Sequence, residues 1–152
     1  MTAKSNIVLG MVAAALAACQ QPAPPVSTES PHVAAATDFA AGRYLVMTGG
    51  CNDCHTPNYA RTGGKVPETE WLKGQAVGYH GPWGTSYPNN LRRTVAGITE
   101  DAWVEMLSTR EGLPPMPWPS VRAMAEADKR ALYRYIKSLP IEGDPAPTAL
   151  PP

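Results

Sequence analysis

The sequence predicts a small all-α domain made of three main helices and long loops. Three observations carry that expectation. Apolar residues recur at helical spacing in three separate segments. Between Pro57 and Ile98 no period survives, and Gly63, Gly64, Gly74, Gly78, Gly84 and Pro88 interrupt the chain. The nonapeptide GGCNDCHTP, residues 49–57, brings two cysteines and a histidine into one short turn. A loop that long is unusual inside a compact domain. It makes sense if the loop wraps a group that is not protein.

The first helix starts at Asp38, a suitable N-cap, and runs to Thr48, where Gly49-Gly50 stops it. Ala41, Tyr44, Leu45 and Thr48 share one face. Gly42 lies inside it at a cost of about 1 kcal/mol relative to Ala. Close approach of another backbone would explain that cost, and simple tolerance would also explain it. The second helix has Thr99 as cap, with Glu100 and Asp101 in the first turn, where the helix dipole favours them. Trp103, Met106 and Leu107 form its stripe, and Gly112 with Pro114-Pro115 ends it. A short turn capped by Ser120 precedes the third helix. There Leu132, Tyr135, Ile136 and Leu139 fall at i, i+3, i+4 and i+7. Lys129, Arg130, Arg134 and Lys137 cover its other face, and Pro140 stops it.

Cys51-x-x-Cys54-His55 is the spacing of c-type haem attachment. Thiols at i and i+3 leave one helical turn in the same direction, so both can add across the two vinyl groups on one porphyrin edge. The next residue then offers an imidazole to the iron. Three rivals compete. A structural zinc site needs four protein ligands, and only His80 could complete the set. A thioredoxin-like dithiol needs a βαβ context, and no convincing strands are found. Two ordinary buried cysteines would leave the histidine to chance.

If haem is bound, the iron needs a sixth ligand, often Met opposite His in electron-transfer proteins. Met47 and Met106 lie in helices, where Met usually fills the core. Met116 sits in LPPMPWP, between prolines that stiffen the backbone, and is the candidate ligand. His80, in a Gly-rich loop, is the competitor and would give bis-His iron. Without Met116 the iron would be five-coordinate, which would suit an enzyme or a sensor.

Net charge is zero across 152 residues, so the chain carries no basic excess of the kind nucleic acid requires. The run Ile7–Ala18 is short for a membrane span and about right for a signal-peptide core. It leads to LAAC, residues 16–19, which resembles the lipobox of bacterial lipoproteins. That resemblance implies cleavage before Cys19 and acylation of its thiol. Ordinary cleavage after Ala15-Leu16-Ala17 is the alternative. If Cys51 and Cys54 are consumed together, Cys19 is the odd thiol, which favours the lipid. The expected organisation is a signal peptide over 1–18, a lipidated Cys19 with a Pro-rich tether over 19–37, the folded domain over 38–140 and a disordered Pro-rich tail over 141–152.

From Asp38 to Pro140 the chain resembles the class I cytochromes c. The matching pieces are AAGRYLVMTGG, the hook CNDCHTP, the loop LPPMPWP and the last helix ALYRYIKSLP, in that order. Cytochromes of the c′ type place the hook near the end and fit poorly. The segments GRYLVMTGGCNDCHTP and YPNNL are similar to those of monohaem subunits and partners of periplasmic dehydrogenases. The resemblance implies one covalent haem c, with Cys51 and Cys54 as thioethers and His55 and Met116 on the iron. It implies that the first and last helices cross at Gly42 and Tyr135, and that the long loop covers the propionates. Trp83, Tyr87, Asn90, Arg92 and Arg93 are the candidates for the pocket or propionates, with plain ring packing or a solvated surface as the alternatives. Relatives commonly cap the last helix with Ser or Thr, whereas Ala125 stands here, which costs about 1 kcal/mol. The implied role is a periplasmic one-electron carrier held to the membrane by its N-terminal lipid. Its partners would be transient redox proteins, or a dehydrogenase of which it is a subunit.

Overall fold

The computed structural model of the chain describes residues 30–152. The expected signal peptide, Cys19 and most of the tether lie outside the described residues. Helices dominate the unit from Pro31 to Pro152: α1 (Asp38–Thr48), α2 (Cys51–His55), α3 (Leu91–Ala96), α4 (Glu100–Thr109), α5 (Trp118–Ala123) and α6 (Glu126–Ser138). The three main helices stand where periodicity put them. The shorter α2 and α3 escaped it because five and six residues give no stripe to read.

Local chemistry sets the ends, with some shifts from expectation. Thr37, not Asp38, caps α1, its Oγ1 accepting from Ala40 N at 3.1 Å. Asp38 instead lies in the first turn and pairs with Arg134 of α6. Thr99 caps α4 as expected, accepting from Ala102 N at 3.2 Å. That helix ends at Thr109, before Gly112. Gly112 serves another purpose: a Cβ there would lie 2.6 Å from the Trp118 indole nitrogen. The helix expected from Ser120 begins earlier, at Trp118, and Pro119 is accommodated in its first turn. Ala125 precedes α6 with no side-chain cap, as read from the sequence.

The core lies around α6, against which α1, α3 and α4 all pack. Leu45 and Val46 of α1 meet Leu132, Tyr135 and Ile136 of α6, together with Val95, Trp103 and Leu107. Gly42 is where the two long helices touch. A Cβ there would collide with the Ala131 carbonyl and come within 2.7 Å of Tyr135 Cβ. The glycine is therefore required by contact, at the pair of residues anticipated. The expected polar cover of α6 holds for Arg130, Arg134 and Lys137. Lys129 departs from it: it is buried, donating to Ser108 Oγ at 2.9 Å and to the Arg122 carbonyl at 3.0 Å.

The stretch without a period does contain strands. β1 (Tyr79–Gly81) and β2 (Gly84–Ser86) form an antiparallel hairpin around Pro82-Trp83, with His80 opposite Thr85. Each strand is three residues long, too short for a visible alternation. The segment after Pro140, expected as a disordered tail, instead returns to the body. Glu142 pairs with Lys73 at 2.6 Å, and Leu150 forms a β-bridge with Thr85. These are mainly backbone contacts, and composition does not report them.

Candidate functional site

The hook is a single turn of helix. Gly50, at φ 72°, turns the chain sharply out of α1 and into α2, so Cys51 and Cys54 leave the same turn. Both are free thiols. Burial pushes the Cys51 thiol up to about 11. The same turn buries His55, whose Nδ1 lies 2.8 Å from the Asn89 carbonyl oxygen. An imidazole beside a carbonyl must donate from that nitrogen, which leaves Nε2 as the lone pair free to bind a metal. Burial lowers the pKa of His55, keeping the ring neutral as a ligand must be.

The backbone around His55 is held from several directions. Gly74 N donates to the His55 carbonyl at 2.7 Å, and Gln75 Nε2 donates to the Cys54 carbonyl at 2.8 Å. Thr56 Oγ1 donates to Asn52 Oδ1 at 2.7 Å and accepts from Leu72 N at 2.8 Å. The hook is thus pinned to the 72–75 segment on one side and to Asn89 on the other. Tyr79 of β1 places its hydroxyl 3.4 Å from Cys54 Sγ, so the hairpin lies against the hook.

Met116 is half-buried in the turn that leads into α5, with Trp118 N donating to its carbonyl at 2.9 Å. Two residues earlier, the Pro114 carbonyl accepts from Ser86 Oγ of β2. One hairpin therefore contacts the hook through Tyr79 and the Met116 loop through Ser86. His80 stands apart from this arrangement, exposed on β1 with Nδ1 3.3 Å from Thr85 Oγ1.

The expected propionate residues divide. Trp83 has a buried indole N–H with no protein acceptor, and Trp118 beside Met116 has another. Tyr87 is half-buried with its ring edge against Gly78. Asn90 and Arg92 are engaged with distant backbone carbonyls. Asn90 caps α3 through Oδ1, and its Nδ2 donates to the carbonyls of Glu142 (2.8 Å) and Asp144 (3.3 Å). Arg92, 2% exposed, spends its guanidinium on the carbonyls of Trp71, Pro140, Glu68 and Thr69. Both are occupied in holding loops together: Asn90 Nδ2 gives both its hydrogens to carbonyls, and Arg92 gives four of its five, keeping one on Nη1. Arg93 is exposed.

The rivals to haem lose support. Among the described residues no group of three or more His, Cys, Asp or Glu side chains is placed to hold a metal ion. The hairpin gives no βαβ unit, and it follows the hook instead of flanking it. Two thiols on one turn, a neutral buried imidazole with one free nitrogen, and unpaired indole donors nearby do fit an iron porphyrin with anionic side arms.

A mostly helical domain with a thiol–thiol–imidazole hook of this kind defines a covalent haem-binding protein. The cytochrome c family model matches residues 39–140, and the chain belongs to that family. Its cofactor is haem c, and it is a haem-based electron carrier. No curated protein and no solved structure matches the chain significantly.

Sequence reasoning missed Tyr79, Gln75, Ser86 and the Asn89 carbonyl. The strands are three residues long and Pro82-Trp83 is not one of the usual two-residue hairpin turns, so no sequence signal marked the hairpin. Asn89 acts through its backbone, which no side-chain pattern reveals.

Proposed function

We propose that the chain is a one-electron carrier on the periplasmic side of a bacterial membrane, anchored by lipid on Cys19. In this reading Cys51 and Cys54 hold the haem as thioethers, and His55 Nε2 and Met116 Sδ take the two axial positions. The observation that carries it is the His55–Asn89 contact, which leaves a neutral imidazole with one free nitrogen beside two thiols. The haem supplies a one-electron ferric/ferrous couple when bound. The chain's residues do the rest. Asn89 and Gly74 fix the ring of His55, Tyr79 and Ser86 bracket the site, and the prolines around Met116 restrict its loop. A site with both axial positions taken has no room for substrate, which favours electron transfer over catalysis. Thioether ligation raises the potential relative to two imidazoles.

The exposed Leu113 and the prolines flanking Met116 offer a small apolar docking face for a redox partner protein. Such encounters are brief and bury little area. The balanced charge offers no strong global steering. Among the described residues no helix is long and apolar enough to cross a membrane, so anchoring in this reading falls to the lipid. The reading accommodates both a free carrier and the cytochrome subunit of a dehydrogenase complex.

The ferric spectrum of the protein, matured in a haem-exporting host, tests the ligand set. The weak far-red band of a sulfur–iron(III) bond is expected, and Met116→Ala should abolish it. A high-spin ferric spectrum in the unaltered chain would point to five-coordinate iron and to an enzyme or sensor. Mass spectrometry of the mature chain should find acyl groups on Cys19, and an unmodified N-terminus elsewhere would overturn the anchor.

A further inference from the structure

The last residues of the chain are fastened by three successive holds, the third of them on the hairpin. Lys73 Nζ grips the Glu142 carboxylate at 2.6 Å. Asn90 Nδ2 then takes the Glu142 and Asp144 carbonyls. Farther on, Leu150 N donates to the Thr85 carbonyl and Thr85 N donates to the Leu150 carbonyl, each at 2.9 Å. Leu150 thereby becomes a one-residue third strand beside β2. The approach is close: a Cβ at Gly84 would lie 2.6 Å from the Pro151 carbonyl carbon. The next residue along β2 is Ser86, whose hydroxyl holds the Pro114 carbonyl two positions before Met116.

We propose that residues 145–152 form a strap that positions Met116, with Leu150 holding Thr85 and Ser86 passing that restraint to the Pro114 carbonyl. This rests on the reading of Met116 as an axial ligand. The Leu150 side chain is about half exposed, so the strap acts mainly through the backbone pair and not through apolar burial. Pro145, Pro147, Pro151 and Pro152 reduce the freedom of the unbound strap, so docking it costs less entropy. A weak iron–thioether bond competes with any external ligand that can reach the iron. Its effective strength therefore depends on how firmly the loop is held in place.

The test compares four ferric holoproteins: the full chain, a chain ending at Pro145, Leu150→Pro and Ser86→Ala. Leu150→Pro keeps the length and removes the N–H that donates to Thr85, so it serves if the shortened chain fails to fold. Two readouts are taken, imidazole affinity and amide hydrogen exchange at residues 79–86 and at Trp118, whose N–H donates to the Met116 carbonyl at 2.9 Å. Each lost hydrogen bond should tighten imidazole binding by roughly fivefold, so the shortened chain, which loses two, gains about 25-fold. Leu150→Pro should gain at least about fivefold, and exchange should speed up at both places. Ser86→Ala should speed exchange only at Trp118, since the hairpin keeps its strap. A shortened chain, or Leu150→Pro, with unaltered imidazole affinity and unaltered protection at Trp118 would overturn the strap. If the full chain shows no sulfur–iron band, the ligand reading fails by itself. Exchange at Trp118 then still decides whether the strap holds the Met116 loop.

Discussion

Gly74 and Asn90 meet backbone to backbone: a Cβ on Gly74 would lie 2.6 Å from Asn90 N and 2.8 Å from the Asn89 carbonyl carbon. Gly74 also stands at φ 72° and donates to the His55 carbonyl at 2.7 Å. The same glycine thus touches both sides of the contact that orients the imidazole. Gly74→Ala must push residues 88–90 away or twist the hook. We expect it to destabilise the holoprotein by about 3 kcal/mol, from a clash against backbone added to a strained φ. Denaturant unfolding followed by the haem absorbance measures it, and a loss below about 1 kcal/mol would mean that the segment yields freely.

Arg92 tests whether a buried cation near the site serves the haem or the fold. Its bonds join the carbonyls of residues 68–71 to that of Pro140, where α6 ends. Lysine keeps the charge but cannot satisfy four acceptors with the same planar fork. Arg92→Lys should lose about 3 kcal/mol of stability, roughly two charge-assisted hydrogen bonds. The absorption spectrum and the reduction potential of the folded variant should match the parent. A shifted potential with stability retained would return Arg92 to the propionates.

Glu100 gives a pH signature. Arg134 and Arg130 hold its carboxyl below the usual carboxylate range, with burial opposing them. Asp38, Asp101 and Glu126 share those two arginines. A carboxylate whose folded pKa is depressed adds stability above its unfolded value, near 4.5, and loses it as the pH falls through the folded value. Between neutral pH and acid, the parent should therefore lose more stability than Glu100→Gln. Urea titrations at several pH values provide the check. Parallel loss in both proteins would show that the pairing is too solvated to matter.

Much of the site was legible because its chemistry depends on local spacing. Cys51, Cys54 and His55 function from one turn, so three positions in the sequence place them in space. Met116 stood out because prolines around it forbid the helix that would have made it core. Gly42 was open to two readings within its helix, close contact or tolerance, and the resemblance to the class I cytochromes c pointed to contact with Tyr135. The protein partners of Asn90 and Arg92 were not legible. Asn90 and Arg92 look like propionate ligands by residue type. Whether a donor is free depends on which distant carbonyls the fold brings to it, and these carbonyls lie 21 to 54 residues away.

By itself the sequence determined the all-α class, the three long helices, the covalent cofactor and the identity of the hook. Each of these follows from side-chain type at short range, whether an apolar period or a thiol spacing. Only the tertiary structure decided which nitrogen of His55 is tied to a carbonyl, which polar residues hold distant carbonyls, and that the final residues are fastened to the hairpin. Those outcomes depend on backbone carbonyls and amides. Every residue carries them, so they leave no mark in the sequence until folding pairs them.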